Sequence, residues 1–278
     1  IDARLTDMNK YEPSQEFMAH FKKQYDDVDN FVKQKIGTIT ASLDTRPAYF
    51  GSSAFIDFIH TLQLAISGAD ISFAAPLSFD ATIDKGDIYM SDMFNLYKYE
   101  NMLYVMELTG KEIKDYLEYS YSIWTRQMTS PDDSLLLLKD ITPEEDKSHA
   151  IFANPSYNFD SAAGIIYTVD VTKPQGEKIS ISSMDDGTPF LMDKTYKVAI
   201  NSYRGNGGGE LLTRGAGIPQ DQLHARIVFS TDKDLRFYLM EYIRKQGTLS
   251  PKALNQWRFI PDEWVKQAAK RDYDLLFK

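Results

Sequence analysis

Apolar side chains recur at helical spacing near the start of the chain. Phe17, Phe21, Tyr25, Val28 and Val32 fall on one face, with Asp and Lys between them. Pro13-Ser14 supplies a start and Gly37 a stop, so an amphipathic helix is predicted over about 14–36, packed on the domain by its apolar face. A strand follows over 38–43. Ser52 or Ser53 then caps a second helix running to about residue 67, with Phe55, Ile59, Leu62 and Ile66 on one face. An apolar run over 70–73 reads as a buried strand, and Asp84-Lys85-Gly86-Asp87 reads as a turn. Ser91 can cap a short helix ending near Tyr97. A strand over 102–108 turns at Thr109-Gly110 into a helix over about 111–124.

The pattern blurs over 125–155. Ser130-Pro131-Asp132-Asp133, the apolar run Leu135 to Leu138 and the acidic run Glu144-Glu145-Asp146 together read as an excursion on the surface. Strand patterns over 165–172 and 178–183 flank Pro174-Gln175-Gly176 and predict a hairpin. A strand over 195–202 and a last strand over 227–230 follow. Thr231 and Asp232 then open a helix to about residue 246. The tail carries Pro251, Trp257 and Pro261 and closes in a short helix. Strands interspersed with helices, and joined partly by hairpins, predict an α+β fold with a mixed sheet.

Composition narrows the function classes. The 278 residues are 43% hydrophobic, enough for a real core in one large or two modest domains. The net charge of −9 and the lack of a basic stripe argue against a binder of polymeric nucleic acid. With no cysteine, disulfides and thiolate metal sites are excluded, and neither compartment is favoured. No apolar run is long enough for a membrane-spanning helix, and no signal-peptide pattern stands at Ile1. His20, His60, His149 and His224 are scattered and form no metal motif, and no G-x-S-x-G is present.

The run from Asn201 to Glu210 carries the most chemistry. Tyr203 and Arg204 precede Gly205-Asn206-Gly207-Gly208-Gly209, directly after a predicted strand. Glycines there let backbone approach a ligand closely or turn tightly. Glu210 breaks the dinucleotide fingerprint, and no Gly-Lys-Ser/Thr completes a P-loop. On local sequence alone the run is a glycine-rich turn. Arg204 reads equally as a phosphate ligand or a solvated charge. Asn206 reads first as a left-handed turn residue, and Asp160 as a turn-fixing carboxylate.

Ordered blocks along the chain give this loop a context. Phe55 to Gln63, Gly68-Ala69-Asp70-Ile71-Ser72-Phe73-Ala74-Ala75-Pro76, Tyr97 to Leu103, Leu108 to Ile113, Phe159 to Tyr167 and Pro174 to Ile179 resemble the C-terminal domain of the 5′-nucleotidase family. The resemblance is nearest to bacterial 2′,3′-cyclic-nucleotide 2′-phosphodiesterase/3′-nucleotidases. It implies a domain that sandwiches a nucleoside base between two aromatic rings. By position these are Tyr99 and Tyr203, with Asn101 bonding the base and Arg204, Asn206, Gly207 and Gly208 forming the adjoining loop. Many 5′-nucleotidases carry an Asp six residues after the second ring, where this chain has Gly209. They also carry an Asn-Gly-Gly run with an Arg where it has Phe73 to Ser78. Both departures point to the cyclic-phosphodiesterase branch.

The resemblance also implies that 1–36 is a helix leading from a catalytic domain and that 37–278 is the substrate-binding domain. The divalent metal pair belongs to a metallophosphoesterase domain, in cis or on a separate chain. Its Asp-x-His, Gly-Asn-His-Asp/Glu and Gly-His-x-His signatures do not occur here. No catalytic or metal residue is therefore expected in this chain. Nucleosides or nucleotides are the expected ligands, and a periplasmic or extracellular location is implied. Two alternatives remain open: a stand-alone nucleotide-binding module, and a self-contained hydrolase using unrecognised carboxylates.

Overall fold

The computed structural model describes residues 3–139 and 151–278. The first helix is Gln15–Val32, and the Ser14 hydroxyl caps it by accepting the Phe17 amide. Gly37 does not stop this helix but lies inside the strand Lys35–Ile39, close against Ile243. The expected packing face is corrected too. No residue of the helix is buried, and Phe17, Phe21, Tyr25 and Val28 are exposed. The apolar period of that segment reports helical form, not a contact within the described residues.

A five-stranded sheet organises the rest, in the order Ile227–Asp234, Met102–Thr109, Thr195–Asn201, Ile71–Ala74, Ser161–Ala163. Thr195–Asn201 and Ile71–Ala74 pair parallel, and the other neighbours pair antiparallel. The sheet is thus mixed and the fold α+β. Alternate side chains point to opposite faces, and both faces are covered. Val198 and Ile200 join Phe73, Met106 and Leu108 in one core with the helix Gly110–Ser122. Ala199, Leu103 and Ala74 face a second core, built with the helices Ala54–Ser67 and Leu235–Gln246. Smaller sheets flank this layer, including the predicted hairpin Ile165–Asp170 with Ile179–Met184.

Several expectations are overturned, each for a packing reason. The described part of 125–155 is not a surface excursion: Met128, Leu135, Leu136 and Phe152 are buried. Trp124 stacks on Phe159 at 4.6 Å, and Asp272 of the C-terminal helix accepts the Leu136 amide at 2.8 Å. The acidic run and His149 lie outside the described residues. The strand expected to end at residue 230 continues to Asp234, because Thr231 Oγ1 accepts the Leu103 amide and keeps the two strands together. Asp234, not Thr231 or Asp232, caps the following helix. The tail is structural: Trp257–Ile260 pairs parallel with Ile165–Asp170 and leads into the helix Asp262–Phe277. Ser91 holds the cap position of Asp92–Leu96 but makes no capping hydrogen bond; the Asp92 carboxylate accepts the Tyr89 amide instead.

Two polar clusters lie inside the cores. His60 sits between the Ser72 and Ser161 hydroxyls, 2.9 and 3.1 Å from its ring nitrogens, and so registers its helix over two strands. Arg204 and Asp160, both with no exposed surface, form a paired contact: Nη2 to Oδ1 at 2.9 Å and Nε to Oδ2 at 3.1 Å. The Tyr116 hydroxyl completes the carboxylate's shell. Burying both charges is costly, and removing one leaves the other uncompensated.

Each cluster yields a test. Burial lowers the His60 pKa to about 3, against about 6.5 in an unfolded chain. As pH falls from about 6.5 toward 3, the unfolded chain takes up this proton and the folded chain does not, so stability falls over that window. Denaturant titrations should show a loss on the order of 1.4 kcal/mol per pH unit from this residue. His60→Gln is expected to lack that component; a variant with the wild-type pH slope assigns the acid lability elsewhere. For the ion pair, Asp160→Asn should lower stability by about 3–5 kcal/mol in urea denaturation. A loss below about 1 kcal/mol would mean that the neutral partners of Arg204 suffice to hold it.

Candidate functional site

Strand register explains how residues far apart in sequence meet. Asn201, the last residue of Thr195–Asn201, pairs with Leu103 at the start of Met102–Thr109. The segment entering one strand and the segment leaving the other therefore share one end of the sheet. There they open a cleft of about 400 Å³ lined by Leu77, Tyr99, Glu100, Asn101, Tyr157, Asn201 and Tyr203. Tyr99, Tyr157 and Tyr203 keep 39%, 37% and 43% of their surface exposed, high for large rings in a walled site. Tyr157 stands nearly perpendicular to both others, with centroids 6.2 Å from Tyr99 and 6.4 Å from Tyr203.

Each wall is braced from behind. On the Tyr99 side, Arg236 donates to the carbonyls of Tyr97 and Lys98 at 3.1 and 3.3 Å, while Phe94 lies 4.3 Å from its guanidinium. The Leu235 amide donates to Asn101 O at 2.7 Å. On the Tyr203 side, Asn201 Oδ1 caps the short helix Ser202–Gly205 by accepting the Arg204 amide at 2.9 Å. The walls are also tied together, because the Met102 amide donates to Ser202 Oγ at 3.1 Å.

The structure brings Tyr99, Asn101 and Tyr203 into this cleft and leaves Arg204, Asn206, Gly207 and Gly208 outside its lining. Arg204 is neither a solvated charge nor a cleft ligand. Besides Asp160, it donates to Tyr157 O at 2.6 Å, Gly208 O at 2.7 Å and Asn158 Oδ1 at 3.3 Å. A guanidinium has five N–H donors, so none is left over for a ligand. Burial works to lower its pKa, and the adjacent Asp160 carboxylate reverses this and raises it. Asp160 is the counter-ion of Arg204 rather than a simple turn residue. Asn206 has φ −89 and is not left-handed; that conformation falls to Gly207, with φ 93. Gly208 lies against the Tyr203 ring, where a Cβ would overlap three ring atoms. Gly209 has φ 69, and a Cβ there would collide with Arg204 and Asn158. The glycines thus let the loop wrap the ion pair and the second ring.

Tyr157, Asn201 and Arg236 were missed from the sequence. Tyr157 lies only three residues before Asp160, so pairing Asp160 with Arg204 was the available signal. The lining holds one carboxylate, Glu100, and no cation. Among the described residues, no group of three or more His, Cys, Asp or Glu could hold a metal ion, so these residues do not fit the metal pair implied by resemblance. Among them, too, no helix is long and apolar enough to cross a membrane.

Comparison with known proteins gives this geometry a family. Residues 35–214 match the model for "5′-nucleotidase, C-terminal domain". A trifunctional nucleotide phosphoesterase of Bacillus subtilis is 31% identical over 197 residues, covering 66% of this chain and 12% of that protein. A 2′,3′-cyclic-nucleotide 2′-phosphodiesterase/3′-nucleotidase of Haemophilus influenzae is 26% identical, covering 88% of this chain and 40% of its own length. The chain therefore spans well under half of these relatives. In fold, a 5′-nucleotidase precursor from Thermus thermophilus superposes with a TM-score of 0.63 at 19% identity, over 90% of this chain and 44% of that one. The match over most of its length, on the fold that carries the cleft, places this chain in the family of 5′-nucleotidase C-terminal domains.

Proposed function

We propose that the cleft binds the nucleoside part of a nucleotide, with the base stacked between Tyr99 and Tyr203 and its edge against Asn101. The carrying observation is the lining itself: three aromatic rings and two amides, with one carboxylate and no cation. Stacking on aromatic rings contributes about 1–3 kcal/mol per base and tolerates different bases. The lining offers a phosphate Glu100 and no cation, since Arg204 is consumed by Asp160 and its neighbours, while Lys98 Nζ stands outside the lining, 6.0 Å from the Tyr99 ring centroid.

On this reading the phosphoryl group projects out of the cleft toward another domain. We assign the chemistry to a metallophosphoesterase domain, in cis or on a separate chain, which would supply a divalent metal pair to polarise the phosphoryl oxygens and activate water. The share of this chain is to bind the base and orient the ester, an effect of proximity. The names of the Bacillus and Haemophilus relatives support a nucleotidase or cyclic-nucleotide phosphodiesterase as the whole enzyme. The family resemblance supports a periplasmic or extracellular setting.

Replacing Tyr99 or Tyr203 with Ala should weaken adenosine binding by about 1–3 kcal/mol in calorimetry. Both rings are exposed, so the melting temperature should barely move. Stability loss with unchanged affinity would mean that the rings serve packing. Separately, the chain alone, with or without added Mn²⁺, is expected to release no phosphate from 3′-, 5′- or 2′,3′-cyclic nucleotides. Steady turnover that co-purifies with the protein would contradict the assignment of the chemistry to another domain.

A further inference from the structure

We propose that the cleft prefers a base carrying a positive charge, such as an N-alkylated purine or a pyridinium, over a neutral base of the same size. This rests on the nucleoside reading above and narrows the substrate class of that site. Tyr99, Tyr157 and Tyr203 bound one cleft of about 400 Å³, Glu100 adds a carboxylate to its lining, and among the described residues no cation lines it.

An aromatic ring has a negative face and a positive edge. Tyr157 stands at 80° to Tyr99 and 83° to Tyr203, with centroids 6.2 and 6.4 Å away. A neutral base can lie flat on the other two rings, but it then turns only an edge toward Tyr157. Stacking alone leaves the third ring little used. A positive atom gains more. Set between Tyr157 and either neighbour, it lies within the roughly 6 Å over which a ring attracts a cation. Glu100 then supplies a counter-charge at the same lining.

The cations nearby do not fill this role themselves. The Arg204 guanidinium carbon lies 5.4 Å from the Tyr203 centroid, but its charge is paired with Asp160 inside the core. Arg236 holds the carbonyls of Tyr97 and Lys98 and stands over Phe94, which is not a cleft ring. Lys98 Nζ stands outside the lining, 6.0 Å from the Tyr99 centroid. Its charge opposes a cationic ligand, so its removal has a defined sign. A nucleotide of the proposed class keeps its positive charge in the cleft and its phosphate outside it.

1-Methyladenosine and N6-methyladenosine are isomers; the first is a cation at neutral pH and the second is not. Calorimetric titration of the chain should show 1-methyladenosine bound about 3- to 30-fold tighter, the span from an exposed to a desolvated cation–π contact. Glu100→Gln should lower the ratio of the two affinities by about 2- to 5-fold, and Lys98→Met should raise it. Both side chains are exposed, so the melting temperature should hold. Tyr157→Leu, which removes the third ring, should lower the ratio too. Opposite shifts from Glu100 and Lys98 report charge, because a difference in base-edge hydrogen bonding would not follow the sign of either residue. A wild-type ratio of one or less, or a ratio that neither charge variant moves, would overturn the proposal while leaving the cleft assignment intact. Failure of the wild-type chain to bind either nucleoside would overturn both.

Discussion

Arg204 is the constraint around which the site is built. Its five N–H groups meet Asp160 twice, the carbonyls of Tyr157 and Gly208, and the Asn158 side chain. Two of these acceptors belong to backbone that carries or supports a cleft ring. One buried cation therefore gathers the turn bearing Tyr157, the glycine loop and the helix bearing Tyr203. Its charge is tolerable inside the protein because Asp160 accepts two of the donors and is itself bonded by Tyr116. The demands run the other way as well. Gly209 must lack a Cβ to lie against the guanidinium, and Gly208 must lack one to lie against the Tyr203 ring.

Committing the arginine to structure leaves the cleft lining, among the described residues, without a positive group. That suits the division of labour proposed for the family. A base has two apolar faces and a polar edge, and the cleft supplies rings for the faces and amides for the edge. The phosphate, which needs cations, is left to a domain that would hold metals. Bracing by Arg236 and by the Met102–Ser202 bond keeps the walls fixed relative to one another, so binding need not order them.

Much of the fold was legible in the sequence because its elements are local. The helix Ala54–Ser67 shows its apolar face and its Ser53 cap, and the hairpin around Pro174-Gln175-Gly176 announces its turn. The failures were non-local. Residues 125–139 look broken in sequence, but Met128, Leu135 and Leu136 are buried in the core that holds Trp124, and the C-terminal helix bonds the Leu136 amide. Asp234 rather than Thr231 begins a helix because a neighbouring strand holds Thr231 extended. The three cleft residues Tyr99, Asn101 and Tyr203 were legible through the family blocks, not through spacing. Arg204 was misread because nothing near it in sequence shows the carboxylate waiting at Asp160. Tyr157 was missed for the same reason, since its role follows from that ion pair.

The most direct measurement is an intermolecular nuclear Overhauser spectrum of the chain saturated with adenosine. Stacking of the base between the two rings predicts contacts from the adenine H2 and H8 protons to the ring protons of both Tyr99 and Tyr203, with Tyr157 at the edge of the base. It predicts no contact from the base to Arg204, which lies behind the second ring. Base protons that approach neither tyrosine, or that approach the Arg204 side chain directly, would contradict it.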